Sequence, residues 1–123
     1  MQRDVPGFIV NRLGCAMYRE AAPLLETGVA DLETIDRSIR QSCGLWASIC
    51  GPFRWIDITG GPGLYARAMR GVLPTLNNSP SLPPTLEDPP TSFYDYAPGE
   101  MERWHQQLHE HAWSLFTRTT GKP

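Results

Sequence analysis

The stretch PTLNNSPSLPPTLEDPP, residues 74–90, holds six of the chain's twelve prolines. Proline has no backbone N–H and a fixed φ, so neither a regular helix nor an inner strand can run through such a segment. Whatever these 123 residues build must therefore be built on either side of a Pro-rich crossing at about 74–92. Leu76, Leu82 and Leu86 recur between the prolines. That spacing predicts extended or polyproline backbone pinned along a surface, not a free linker.

Both flanks have helical periodicity. Pro6-Gly7 opens a helix in which Ile9, Leu13, Met17 and Leu24 recur at steps of four or seven, with Ala16 and Ala21 beside them. Pro23 should kink or split its last turns, and Gly28 suits a C-terminal cap. Asp31 then reads as the N-cap of a second helix with Leu32, Ile35, Ile39 and Cys43 on one face. In that helix Asp36 can pair with Arg40, and Gly44 is its stop. Residues 8–43 thus predict an antiparallel helical hairpin. Gly51-Pro52 starts a short helix that buries Phe53, Ile56 and Trp55, and Gly60-Gly61 end it. Pro62 starts another over 62–72, with Leu64, Ala68 and Met69 inward. Beyond the Pro-rich crossing, SFYDY is a candidate extended piece. Pro98-Gly99-Glu100 opens a last helix to about Thr117, striped by Met101, Trp104, Leu108, Ala112 and Leu115. The expectation is a single all-α domain over 1–123, with five or so helices and no convincing strand.

Composition narrows the function. Charged residues make up 20% and the formal net charge is −2, so there is no basic excess to neutralise phosphates, and nucleic acid is not an expected partner. At this length a domain buries roughly two-thirds of the surface its unfolded chain exposes. Cys15, Cys43 and Cys50 are odd in number and lack CxxC spacing, which predicts three buried thiols in a reducing compartment. Asp4, Asn11 and Arg12 break any signal-peptide apolar core, and no run reaches the roughly 18 apolar residues of a membrane helix. A cytoplasmic protein is expected.

Local motifs for catalysis are sparse. His105 and His109 stand at i, i+4, but Gln106 occupies the place of the Glu in HExxH. Solvated helix histidines are favoured over a metal site or a pH-sensitive contact. TGGPG at 59–63 is followed by Tyr65-Ala66-Arg67 instead of Lys-Ser/Thr, so it reads as a turn between helices and not a phosphate loop. No GxGxxG dinucleotide fingerprint occurs, and no catalytic triad is specified locally. Asn11 is the polar residue that stands out. It follows Phe8-Ile9-Val10, where the helix is apolar all round, so its amide either has an ordinary capping or solvated role or meets a polar group of another domain, chain or ligand.

DVPGFIVNRL (4–13), REA (19–21), the Gly-Val-Ala of 28–30, Ile35-Asp36, and Gly51-Pro52-Phe53 followed by Asp57 and Gly60 occur in order. Together they resemble the C-terminal domain of the NAD-dependent 3-hydroxyacyl-CoA dehydrogenases, including the carnitine dehydrogenase and lambda-crystallin branch. The likeness is specific over 4–65 and returns at FYDYAPGE, 93–100. Trp46, in LWASICGPF, is closer to the Trp-containing branch, whereas Pro23 departs from the family's uninterrupted helix.

The resemblance implies an all-α fold of the 6-phosphogluconate dehydrogenase C-terminal type. It also implies a substrate-binding and dimerisation role beside an N-terminal Rossmann domain, which would supply NAD and the catalytic His and which this sequence lacks. Asn11 would face the active site, and Gly51, Pro52 and Phe53 would lie on the acyl side of the acyl-CoA cleft. No catalytic residue, cofactor site or metal site is expected in this chain, and it should be inactive alone. A stand-alone, non-catalytic dimerisation or partner-binding module is the alternative. A homodimer is also expected from the residues themselves, because Trp46, Trp55, Trp104 and Trp113 cannot all be central in one small core.

Overall fold

The computed structural model describes residues 6–119, with side chains from 8 to 117. Asp4 and Val5 of the first motif lie outside the described residues. The described residues are helical, with no strand among them. The chain divides into two compact units, Met1–Pro90 and Thr91–Pro123.

The first unit begins with α1 (Pro6–Glu26), which runs unbroken through Pro23. Proline there forfeits only one late backbone bond, and the helix end is secured just beyond it. Thr27 donates from both its N–H (2.9 Å) and its hydroxyl (2.7 Å) to the Pro23 carbonyl. Val29 N–H reaches the Leu24 carbonyl and Gly28 N–H the Leu25 carbonyl, with Gly28 at φ 75°. This is a Schellman stop, and its left-handed residue is the glycine. The expected split therefore does not occur.

Asp31 caps α2 (Leu32–Gln41), accepting from Thr34 N–H at 2.8 Å. In α2 Glu33 gathers Arg40 at 3.3 Å and Arg37 at 3.8 Å. Gly44 does not end this helix. It lies inside α3 (Cys43–Ala47), because the break falls at Ser42, whose hydroxyl bonds back to the Ser38 carbonyl.

Proline opens α4 (Pro52–Ile58) and α5 (Pro62–Val72), where its missing N–H costs nothing. The turn between them needs glycine twice, with φ 136° at Gly60 and 90° at Gly61. Thr59 locks that turn. Its hydroxyl donates to the Trp55 carbonyl and, its single proton being so used, accepts from the Tyr65 hydroxyl at 2.7 Å. Trp46 of α3 stacks on Trp55 of α4, with ring centres 5.3 Å apart and planes 11° from parallel.

A 3-10 turn (Leu73–Thr75) leads into the Pro-rich crossing. The crossing holds one helical turn, α6 (Pro84–Glu87), which the proline count argued against. Pro84 sits at its first position, so the turn loses no bond. In the second unit SFYDY is irregular and α7 spans Glu100–Thr119. The Glu100 carboxylate accepts from Ala97 N–H at 2.9 Å as the helix begins.

Burial departs most from expectation. No described residue is buried. Cys15 is exposed, and Cys43 and Cys50 are only half-buried, so the three thiols are free but not interior. Phe53, expected in the core, is 82% exposed, and the α7 stripe residue Leu108 is 67% exposed. The accessible surface is 10438 Å². A compact protein of this mass exposes roughly 6,600 Å², and two separately compact units of these sizes roughly 7,800 Å². The apolar stripes are present and correctly spaced, but one copy of the chain does not cover them. Among the described residues, no helix is long and apolar enough to cross a membrane.

Candidate functional site

The first four turns of α1 and the Pro-rich crossing border an open groove of about 680 Å³. That volume lies within the range of small-molecule sites. Asn11, Arg12, Cys15 and Arg19 line it from the helix, and residues 79–83 and Leu86 line it from the crossing. The crossing is held there by two α1 carboxylates. Glu20 Oε1 accepts from Asn77 N–H at 2.5 Å, and Glu26 Oε2 accepts from both the N–H and the hydroxyl of Thr85, the former at 2.7 Å. Of the three leucines expected to pin the crossing to a surface, Leu82 and Leu86 line the groove and Leu76 does not. The directional fastening, however, is polar, and it comes from glutamates that the apolar stripe did not single out.

Asn11 is exposed and opens onto the groove, so its amide is free to serve a ligand as donor and acceptor. Beside it the Arg12 guanidinium lies 5.7 Å from the centre of the Phe8 ring, a cation–π contact that orients the side chain. Gly51, Pro52 and Phe53 do not line this groove. They form the exposed N-terminal end of α4. The structure thus separates the four residues marked as substrate contacts into Asn11 in the groove and three at another helix start. It adds Arg12 and Arg19, which a seven-residue spacing on one helix could have flagged.

The described residues do not fit a dinucleotide. Such a site needs a strand feeding a Gly-rich turn and a helix, whereas here 59–63 joins two helices and no described residue is in a strand. No group of three His, Cys, Asp or Glu among the described residues could hold a metal ion.

Comparison with known proteins bears on the first unit. Residues 7–86 match the 3-hydroxyacyl-CoA dehydrogenase C-terminal domain family. An L-carnitine dehydrogenase of Streptomyces griseus subsp. griseus is 38% identical over 78 residues, 63% of this chain and 23% of that protein. One from Pseudomonas syringae pv. syringae is 43% identical over 61 residues, 50% of this chain and 19% of its own. A 5-formyl-3-hydroxy-2-methylpyridine 4-carboxylate 5-dehydrogenase of Mesorhizobium japonicum is 38% identical over 60 residues, 49% of this chain and 19% of its own. The matched stretches cover about a quarter or less of these relatives. No solved structure matches. The family match takes in α1 to α6, both walls of the groove and the Asn11 motif, and on that ground this chain belongs to the 3-hydroxyacyl-CoA dehydrogenase C-terminal domain family.

Proposed function

We propose that the chain is the substrate-binding and dimerisation domain of a 3-hydroxyacyl-CoA dehydrogenase-like oxidoreductase of the reducing cytoplasm. The observation that carries this reading is the place of Asn11, in a family-matched helix and open to a ligand-sized groove. A separate Rossmann domain would hold NAD, which supplies the hydride acceptor for oxidation of the 3-hydroxyl. This chain's part is to bind and orient: the Asn11 amide meets a polar group of the substrate.

The names of the relatives place L-carnitine beside 3-hydroxyacyl-CoA thioesters as a substrate to test. A stand-alone dimerisation or partner-binding module is the second reading, and the joined protein distinguishes the two. The test is to join the chain to the NAD-binding domain of a family member. Turnover of 3-hydroxybutyryl-CoA or L-carnitine is measured with NAD, for the joined protein and for the chain alone. The expected result is turnover only in the joined protein, lost on Asn11→Ala with the melting temperature nearly unchanged, since the exposed Asn11 side chain supports little packing. Turnover by the chain alone would overturn the division of labour. A well-folded joined protein inactive on both substrates would favour the second reading.

A further inference from the structure

Arg12 and Arg19 are seven residues apart on α1, which puts them on one face about 10 Å apart along the axis. Both line the groove, and no other residue lining it is charged. Neither is within 4.0 Å of a carboxylate among the described residues. Glu20 and Glu26 keep their charge while accepting from the neutral donors Asn77 and Thr85, but neither carboxylate lines this groove. Two guanidinium groups facing one concavity with no acid between them give it a positive potential, and the apolar walls strengthen that field. Opposite the arginines stand Leu82 and Leu86, with Phe8 at the Arg12 end.

We infer that this groove binds an organic anion. Arg12 and Arg19 take its carboxylate or phosphate through their planar N–H forks, and its apolar body lies against Phe8, Leu82 and Leu86. The arginines are then the residues that select charge, while Asn11 is left to a neutral polar group of the same ligand. This site shares its groove with Asn11 and so extends the dehydrogenase reading, but binding here requires neither NAD nor turnover. A chain that binds anions and is inactive when joined would sink that reading and leave this one standing; an active joined protein with no preference for anions would do the reverse.

The experiment titrates the full chain at low ionic strength with hexanoate, hexyl phosphate and the neutral isostere hexanamide, followed by calorimetry and by amide NMR shifts. Hexanoate or hexyl phosphate should bind at least about tenfold more tightly than hexanamide. Shifts should centre on Asn11, Arg12 and Leu82. Which acid binds more tightly tells carboxylate from phosphate. Arg12→Gln and Arg19→Gln should each weaken the acid about fivefold or more without affecting hexanamide, whereas Arg67→Gln in α5 should change nothing. Equal binding of acid and amide, no binding of either acid, or equal weakening by Arg67→Gln would overturn the site. The acid-to-amide ratio in the unmodified chain decides the matter even if an arginine variant fails to fold.

Discussion

The Glu26 carboxylate accepts two hydrogen bonds from Thr85, 59 residues further along the chain. With the Glu20–Asn77 bond it fastens the Pro-rich crossing to α1 and so makes one wall of the groove. A proline-rich segment cannot hold itself in place through a ladder of its own, so its position depends on such outside acceptors. Glu26→Ala should free the crossing: amide exchange at Thr85 and Leu86 should rise and proteolysis within 77–86 should quicken. The bonds are exposed, so the cost in stability should be modest, about 1 kcal/mol. Glu26→Gln keeps an acceptor and should lose less. Unchanged exchange at Thr85 in Glu26→Ala would show that the Glu26–Thr85 bonds are not what holds the crossing.

Gly61 has φ 90° between α4 and α5, where a Cβ is strained whatever the free space around it. Gly61→Ala should destabilise the chain by about 1–2 kcal/mol. Gly63, within α5 and with open space at its Cβ position, is the control. Gly63→Ala should be neutral or stabilising, since alanine is the better helix former. Chemical denaturation of the two variants separates strain in the turn from a general effect of adding a methyl group.

Asp31 gives a pH-dependent test of the α2 cap. Hydrogen bonding from Thr34, through its side chain and then its backbone N–H, holds the Asp31 carboxyl below its ordinary value. A carboxyl depressed by folding stabilises the fold above its unfolded pKa, and that contribution is lost as pH falls through the folded value. Asp31→Ala should therefore lower the melting temperature at neutral pH, with the gap to the unmodified chain closing below about pH 4. Asp31→Asn keeps an acceptor for Thr34 N–H and should narrow the gap at neutral pH with little pH dependence. Melting curves across the acid range give the answer, and a gap that does not change with pH would remove the charge from the cap.

Helix starts were the most legible part of the sequence, because proline at a first turn and an Asp N-cap act locally: Pro52, Pro62 and Asp31 all stand where their chemistry predicts. Helix stops were less so. Pro23 and Gly44 are breakers by type, yet Pro23 comes one turn before a Schellman stop and Gly44 follows a break already made at Ser42. The groove was half legible. Asn11 stood out as an amide in an apolar turn, but the Glu20 and Glu26 fastenings join positions nearly 60 residues apart, and no local pattern encodes them. Burial was misread for a different reason. Periodicity shows which face of a helix is apolar, not whether the same chain supplies what covers it.

That uncovered surface leads to a prediction about assembly. The chain exposes 10438 Å², more than the roughly 7,800 Å² of two separately compact units of these sizes. Within the second unit, Trp104 and Leu108 remain exposed on one side of α7, and Trp113, stacked on Phe116 with ring centres 5.7 Å apart, remains exposed on another. Large aromatic side chains left in water on a regular helix are costly unless another chain covers them. The chain should therefore sediment as a dimer at low micromolar concentration without cofactor. Leu108→Glu places a charge on the α7 stripe, and because Leu108 is already exposed in one copy, the substitution should leave helix content intact while shifting the population towards monomer. Analytical ultracentrifugation with circular dichroism on both proteins is the measurement. A monomer in the unmodified chain at every concentration would defeat the dimer. A dimer indifferent to Leu108→Glu would move the interface from α7 to the first unit.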